Sequence, residues 1–216
     1  RLASVQGIEV VRHRTLANDR ARVRVGISGD GITKTNYLGL TGRDMLVNVN
    51  DTGVDGTHPD FAGRVFAADP DLLRDAVGHG THVGGIIAGN GSQSGTVLST
   101  PNGSETNANF RGMAPEAKLF YLATEYTPGT TAPTTDTYVY ETAARTNSIL
   151  FKRGNATLIS NNSWYYSGAT DYDTAAARFD AATRDALSEQ SGSQPVLFVF
   201  TASNSGDTTD DGLNGN

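Results

Sequence analysis

Gly78-His79-Gly80-Thr81-His82-Val83-Gly84-Gly85 is the stretch on which the reading of this chain turns. It presents an imidazole at a glycine-flanked turn that opens a short helical run, Thr81 to Ala88. Glycines are poor helix formers, so Gly84 and Gly85 followed by Ala88 predict close backbone packing on this helix. Upstream, Val47-Asn48-Val49-Asn50-Asp51-Thr52-Gly53 passes from a strand-like segment into a turn. Asp51 is therefore expected at the carboxyl end of a strand, where open α/β sheets place their sites. A carboxylate there can fix the tautomer of an imidazole, and the two together supply a base and its orienting group for an activated hydroxyl. Taken alone, Asp51 reads as a turn former before glycine, and a lone histidine reads as a hydrogen-bonded core or surface residue. The second reading suits His13, His58 and His82; at His79 the surrounding block favours chemistry.

Working outward, the apolar runs Met45 to Val47, Lys118 to Leu122, Thr157 to Ile159 and Val196 to Phe200 are short and bounded by turn residues, as buried parallel strands are. Between them, Asp136 to Lys152 places Val139, Ala143 and Leu150 on one helical stripe. Asp173 to Gln190 does the same with Phe179, Ala182 and Ala186. Strands alternating with helices predict βαβ crossovers, hence an α/β fold with a mostly parallel sheet covered by helices on both faces. Asn90 to Asn109 and Thr127 to Thr135 read as loops.

The 216 residues suffice for one α/β domain. No apolar run is long enough for a membrane span, and Arg1 opens no signal-like segment, so a soluble chain without a membrane partner is expected. Net charge is -6, with the 17 Lys and Arg scattered, which excludes an electrostatic footprint for nucleic acid. The absence of cysteine removes thiolate catalysis, zinc-thiolate sites and disulfides. His79 and His82 beside Asp51 invite a zinc reading, but no His-Glu-x-x-His occurs and no third ligand is evident, so no metal is assigned.

These blocks in series resemble the subtilisin-like serine peptidases, the subtilases. The resemblance is carried by Val47-x-Val49-x-Asp51-Thr52-Gly53-Val54 with His58-Pro59-Asp60, and by Gly78-His79-Gly80-Thr81-His82-Val83-x-Gly85. Arg111-Gly112-Met113-Ala114-Pro115, Asn162-Ser163-Trp164 and Val199-Phe200-Thr201-Ala202-Ser203-Asn204-Ser205-Gly206 extend it. Asn18-Asp19-x-Ala21-Arg22 and Asn162-Ser163-Trp164 look most like the alkaline, oxidation-resistant bacterial branch.

The resemblance implies a serine endopeptidase working through an Asp-His-Ser triad and an acyl-enzyme. Asp51 would orient and support the imidazolium, His79 would shuttle the proton, and Asn204 would donate its amide to the oxyanion. Ser163 and Trp164 would lie beside the bound peptide. The family's nucleophile sits in Gly-Thr-Ser-Met-Ala, and no Gly-Thr-Ser occurs here. The serine is therefore expected outside this chain, with residues 18–216 the N-terminal part of a catalytic domain incomplete at its C-terminus. This fragment alone is not expected to be active.

Residues 1–17 resemble the last strand of an inhibitory propeptide, with a maturation site near Asn18. The partners implied are a polypeptide substrate, the chain's own propeptide and the missing C-terminal part of the domain, and the location implied is secreted. No cofactor is required; calcium often stabilises the family's loops, but no ligands are assigned, since Asp207 to Asp211 reads equally as a solvated turn. Ser203 and Tyr165 stand where the family usually has glycine, and Asn50 where it usually has an apolar residue. The first two motivate an alternative, an inactive pseudopeptidase or peptide-binding module of the same fold.

Overall fold

A computed structural model of the chain describes residues 20–32, 38–67, 69–99, 104–124, 135–151, 158–166 and 171–201. The expectations placed on residues 1–17, Asn18, Ser203, Asn204, Asp207 to Asp211 and most of Thr127 to Thr135 lie outside the described residues.

Five parallel strands form one sheet in the order β2-β3-β1-β4-β5: β1 (Leu46–Asp51), β2 (Val65–Ala67), β3 (Lys118–Ala123), β4 (Leu158–Asn162) and β5 (Val196–Phe200). The helices are α1 (Ala21–Arg24), α2 (His79–Ala88), α3 (Asp136–Phe151) and α4 (Thr174–Ala182). Side chains alternate across β1, so Val47 and Val49 face one way and Leu46 the other. Val47 and Val49 join Val54, Phe61, Leu72, Leu119, Tyr121 and α2's Val83 in one buried cluster. Leu46 joins Ala143 of α3, Ala182 of α4, Ala186 and Val196 in a second. A parallel sheet with helices on both faces is thus the observed architecture, and β1, flanked by β3 and β4, is its centre.

β1 ends at Asp51 as expected, and it runs through Asn48 and Asn50 because neighbours on both edges satisfy its backbone whatever its side chains. Two elements differ from the sequence reading. β2 has only three residues and pairs with β3 alone, too short for a periodic signal. α4 opens on Asp173, whose carboxylate accepts from Ala176 N at 2.9 Å, but ends at Ala182 instead of Gln190. Beyond it, Asp185 Oδ1 accepts from Leu187 N at 3.2 Å and Gln194 N at 3.3 Å, local bonds that compete with a continuing helix. Among the described residues no helix is long and apolar enough to cross a membrane.

Candidate active site

Asp51 ends the central strand, 2 % exposed, at the carboxyl edge of the sheet. Its Oδ1 lies 2.7 Å from His79 Nδ1 and accepts from Thr52 N at 2.7 Å. A carboxylate can only accept, so Nδ1 carries the hydrogen and Nε2 is left as the basic nitrogen. The imidazole keeps half of its side-chain surface in solvent, where a reactant can reach it.

His79 is placed by the start of α2. Gly78 caps the helix in a left-handed conformation, φ +90°, that disfavours any residue with a Cβ. One residue on from His79, a Cβ at Gly80 would sit 2.0 Å from Gly53 O and 3.1 Å from Asp51 Oδ1. The helix therefore lies directly on the turn that follows Asp51. Gly84 meets the Tyr121 hydroxyl in the same way, and that hydroxyl donates to Gly80 O at 2.8 Å. Burial, with Asp51 and Asp75 nearby, pushes the Tyr121 hydroxyl well above its ordinary range, so it stays a neutral donor. Gly85 departs from the expectation: a Cβ there meets nothing within 4 Å, since it lies on the open side of the helix.

Asp75 is a site residue that the sequence reading missed. Its Oδ2 accepts from Thr81 N at 2.8 Å and Thr81 Oγ1 at 2.7 Å, and its Oδ1 from Thr52 Oγ1 at 3.0 Å and Gly78 N at 2.8 Å. Thr52 Oγ1 in turn accepts from Gly80 N at 3.0 Å. The turn after Asp51 and the first turn of α2 are thus tied through one carboxylate beside a helix N-terminus, where negative charge is favoured. Partial burial raises the Asp75 carboxyl, but its hydrogen bonds to Thr81, Gly78 and Thr52 together outweigh burial and hold it below the usual carboxylate value. The available signal was Gly78 itself: a helix whose cap has no side chain needs an acceptor from elsewhere, and Asp75 is the nearest acid before it.

Ser163 and Trp164 follow the end of β4, the strand beside β1, so they leave the sheet at the same edge as Asp51. Ser163 Oγ accepts from Asn161 Nδ2 at 3.0 Å. Trp164 packs edge-on against Tyr166 and Phe200, with centroids 5.3 and 5.4 Å apart, and near Phe179 at 6.5 Å. His82 is exposed and lines, with His58, Asp60 and Arg111, a cavity of about 640 Å³ that includes neither Asp51 nor His79. Among the described residues no three His, Cys, Asp or Glu side chains converge to hold a metal ion. The Asp60 carboxylate faces donors, Gly91 N, Gln93 N and Ser92 Oγ, where a cation would need acceptors. As it is bonded, the Asp60 carboxylate therefore does not fit calcium.

The intracellular serine protease of Paenibacillus polymyxa is 36 % identical over 90 residues, which cover 38 % of this chain and 23 % of that protein. Fervidolysin of Fervidobacterium pennivorans is 33 % identical over 104 residues, 44 % of this chain and 13 % of that protein. The matched part is thus a quarter or less of either relative's length. The Clostridium perfringens CspB protease superposes with a TM-score of 0.50 at 19 % identity, covering 80 % of this chain and 38 % of that one, a likeness of fold. The profile of the subtilase family matches residues 42–215, from the turn before β1 past the end of β5. With the parallel sheet on which the match falls, this establishes that the chain belongs to the subtilase family.

Proposed function

We propose that this chain is part of a serine endopeptidase in which Asp51 and His79 activate a serine hydroxyl supplied by polypeptide outside these 216 residues. The observation that carries the reading is the 2.7 Å contact between the buried carboxylate and Nδ1 of a half-exposed imidazole. As the serine Oγ attacks the peptide carbonyl, His79 Nε2 takes its proton; it returns that proton to the leaving amine, and water releases the acyl group by the same route. Asp51 supports the imidazolium while the charge lasts. Asn204, a few residues past β5, donates its amide to the oxyanion, and Ser163 and Trp164 flank the bound peptide. β5 leaves Leu197 and Val199 about half exposed, and parallel sheets are covered on both faces, so further chain packs there in this proposal.

Residues 1–17 as the end of a propeptide, cleavage near Asn18, export and the alkaline branch belong to the same proposal. The intracellular relative makes recovery from the cell pellet alone the result that would overturn export. The central test is a fluorophosphonate probe on the full-length protein, with peptide turnover measured alongside. Labelling at a serine beyond Asn216 is expected, with kcat/KM falling roughly 10⁴-fold in Asp51→Asn, which presents the wrong tautomer partner. An unlabelled protein under conditions that label an active relative would leave the pseudopeptidase.

A further inference from the structure

Asn50 stands in the centre of the sheet, 3 % exposed, immediately before Asp51 and on the opposite face of β1. Amide side chains are poor strand formers, and a buried amide without partners costs about 1 to 3 kcal/mol. Here both ends are satisfied. Nδ2 donates to Ala123 O at 2.8 Å, and Oδ1 accepts from Trp164 Nε1 at 3.0 Å. A carbonyl on one side and an N–H on the other admit a single orientation of the amide.

The register shows what this bridge joins. Asn50 is level with Leu122 of β3 and with Asn162 of β4. Its amide therefore links the last residue of β3 to the second residue beyond β4, across the strand that carries Asp51. Trp164 is braced against Tyr166, Phe200 and Phe179, which leaves its N–H edge as the polar group needing a partner.

We propose that Asn50 is a positioning residue that sets the width of the substrate cleft, by holding Trp164 and the end of β3 at a fixed separation. The inference rests on the peptidase reading. In that reading the bound peptide runs beside Ser163 and Trp164, at the sheet edge where the carboxyl ends of β3 and β4 flank Asp51. Asn50 ties Ala123 at the end of β3 to Trp164, so its influence grows with the length of peptide that lies against Trp164.

The test uses the full-length protein with Asn50→Leu, which removes both bonds and keeps the branched shape, Trp164→Phe, which removes the indole donor, and the double variant. Each single change is expected to lower kcat/KM on a tetrapeptide amide about tenfold, chiefly through KM, as expected for the loss of one buried hydrogen bond. The double variant should be no worse than the worse single, and in Asn50→Leu the loss on a single-residue ester should stay under about threefold. With 5-fluorotryptophan incorporated, the ¹⁹F resonance that disappears in Trp164→Phe identifies Trp164, and Asn50→Leu should shift it. Costs that multiply in the double variant, an equal loss on ester and tetrapeptide, or an unmoved resonance would each overturn the proposal. Should Asn50→Leu not fold, Asn50→Ser takes its place with the same expectations. An inactive, unlabelled wild type would bring down the peptidase reading instead; the resonance then decides whether the bridge itself exists.

Discussion

The two faces of β1 differ in kind. Toward α2 the strand presents Val47 and Val49 to a closed apolar cluster, and at its end Asp51 enters a ring of hydrogen bonds that runs through Thr52, Gly80, Thr81 and Asp75. Toward α3 and α4 it presents Leu46, then Asn48 and Asn50, with Ser160 and Asn162 level with them on β4. The apolar partners on that side are Ala143, Ala182, Ala186 and Val196, with Phe120, Tyr140 and an edge-to-face group of Phe179, Phe198 and Phe200. One face fixes the Asp51–His79 geometry by close approach. The other is polar where a core is ordinarily apolar, and at Asn50 that polarity reaches the strand ends beside the site. Position on the first face is held by steric fit, and on the second by particular amide contacts.

The comparison breaks hardest at Gly80. Replacing it with alanine improves intrinsic helix propensity by up to about 1 kcal/mol, yet puts a methyl group 2.0 Å from Gly53 O. Backbone cannot yield as a side-chain tip can, so the steric cost wins and Gly80→Ala should lose about 3 kcal/mol in denaturant unfolding. Gly85→Ala, on the open side of the same helix, should instead gain about 0.5 to 1 kcal/mol. Equal effects at the two glycines would show that α2 does not rest on the turn after Asp51.

Asp75 tests the polar half of the same face. Asp75→Asn would turn an NH₂ toward groups that are themselves donors, Thr81 N, Thr81 Oγ1, Gly78 N and Thr52 Oγ1. After discounting for partial exposure of the carboxylate, the substitution should cost about 1 to 2 kcal/mol. The pH dependence carries a sign. The folded carboxyl titrates below its unfolded value of 3.8, so its contribution is fully present above about pH 4 and is lost as pH falls through the folded pKa. Urea midpoints measured downward from pH 6 should fall more steeply below pH 4 in the wild type than in Asp75→Asn; parallel curves would remove Asp75 from the network.

The sequence made the first face legible and the second largely not. His79 and Asp51 could be paired because each lies in a locally distinctive block, and α3 could be placed from its periodicity to within a residue of its end. Asp75 was missed because its bonds, to Gly78 and Thr81 at the start of α2 and to Thr52 in the turn after β1, follow no period. β2 was missed because three residues on a sheet edge carry no alternation. Asn50 showed in the sequence only as a departure from an apolar position. Its partners, Ala123 and Trp164, are distant in the chain and meet it only through the order of the strands. The packing expected of Gly85 failed because a run of glycines does not say which one faces the sheet.

The smallest expected effect separates the two asparagines of the polar face. Asn48 is fully buried in β1, and neither its Nδ2 nor its Oδ1 has a hydrogen-bond partner among the described residues, whereas both ends of the Asn50 amide are bonded. A buried amide whose partners are missing opposes folding, and an apolar group of similar shape removes that cost. Asn48→Leu should therefore stabilise the protein by about 1 kcal/mol in denaturant unfolding, while Asn50→Leu, which leaves Ala123 O and the Trp164 indole without their partner, should destabilise it. Both residues occupy one strand and one face, two positions apart, so propensity and depth are nearly matched and the difference between them isolates the hydrogen bonds. If both substitutions shift stability in the same direction, the polarity of this face is a property of the strand as a whole, and the separate role assigned to Asn50 loses its physical basis.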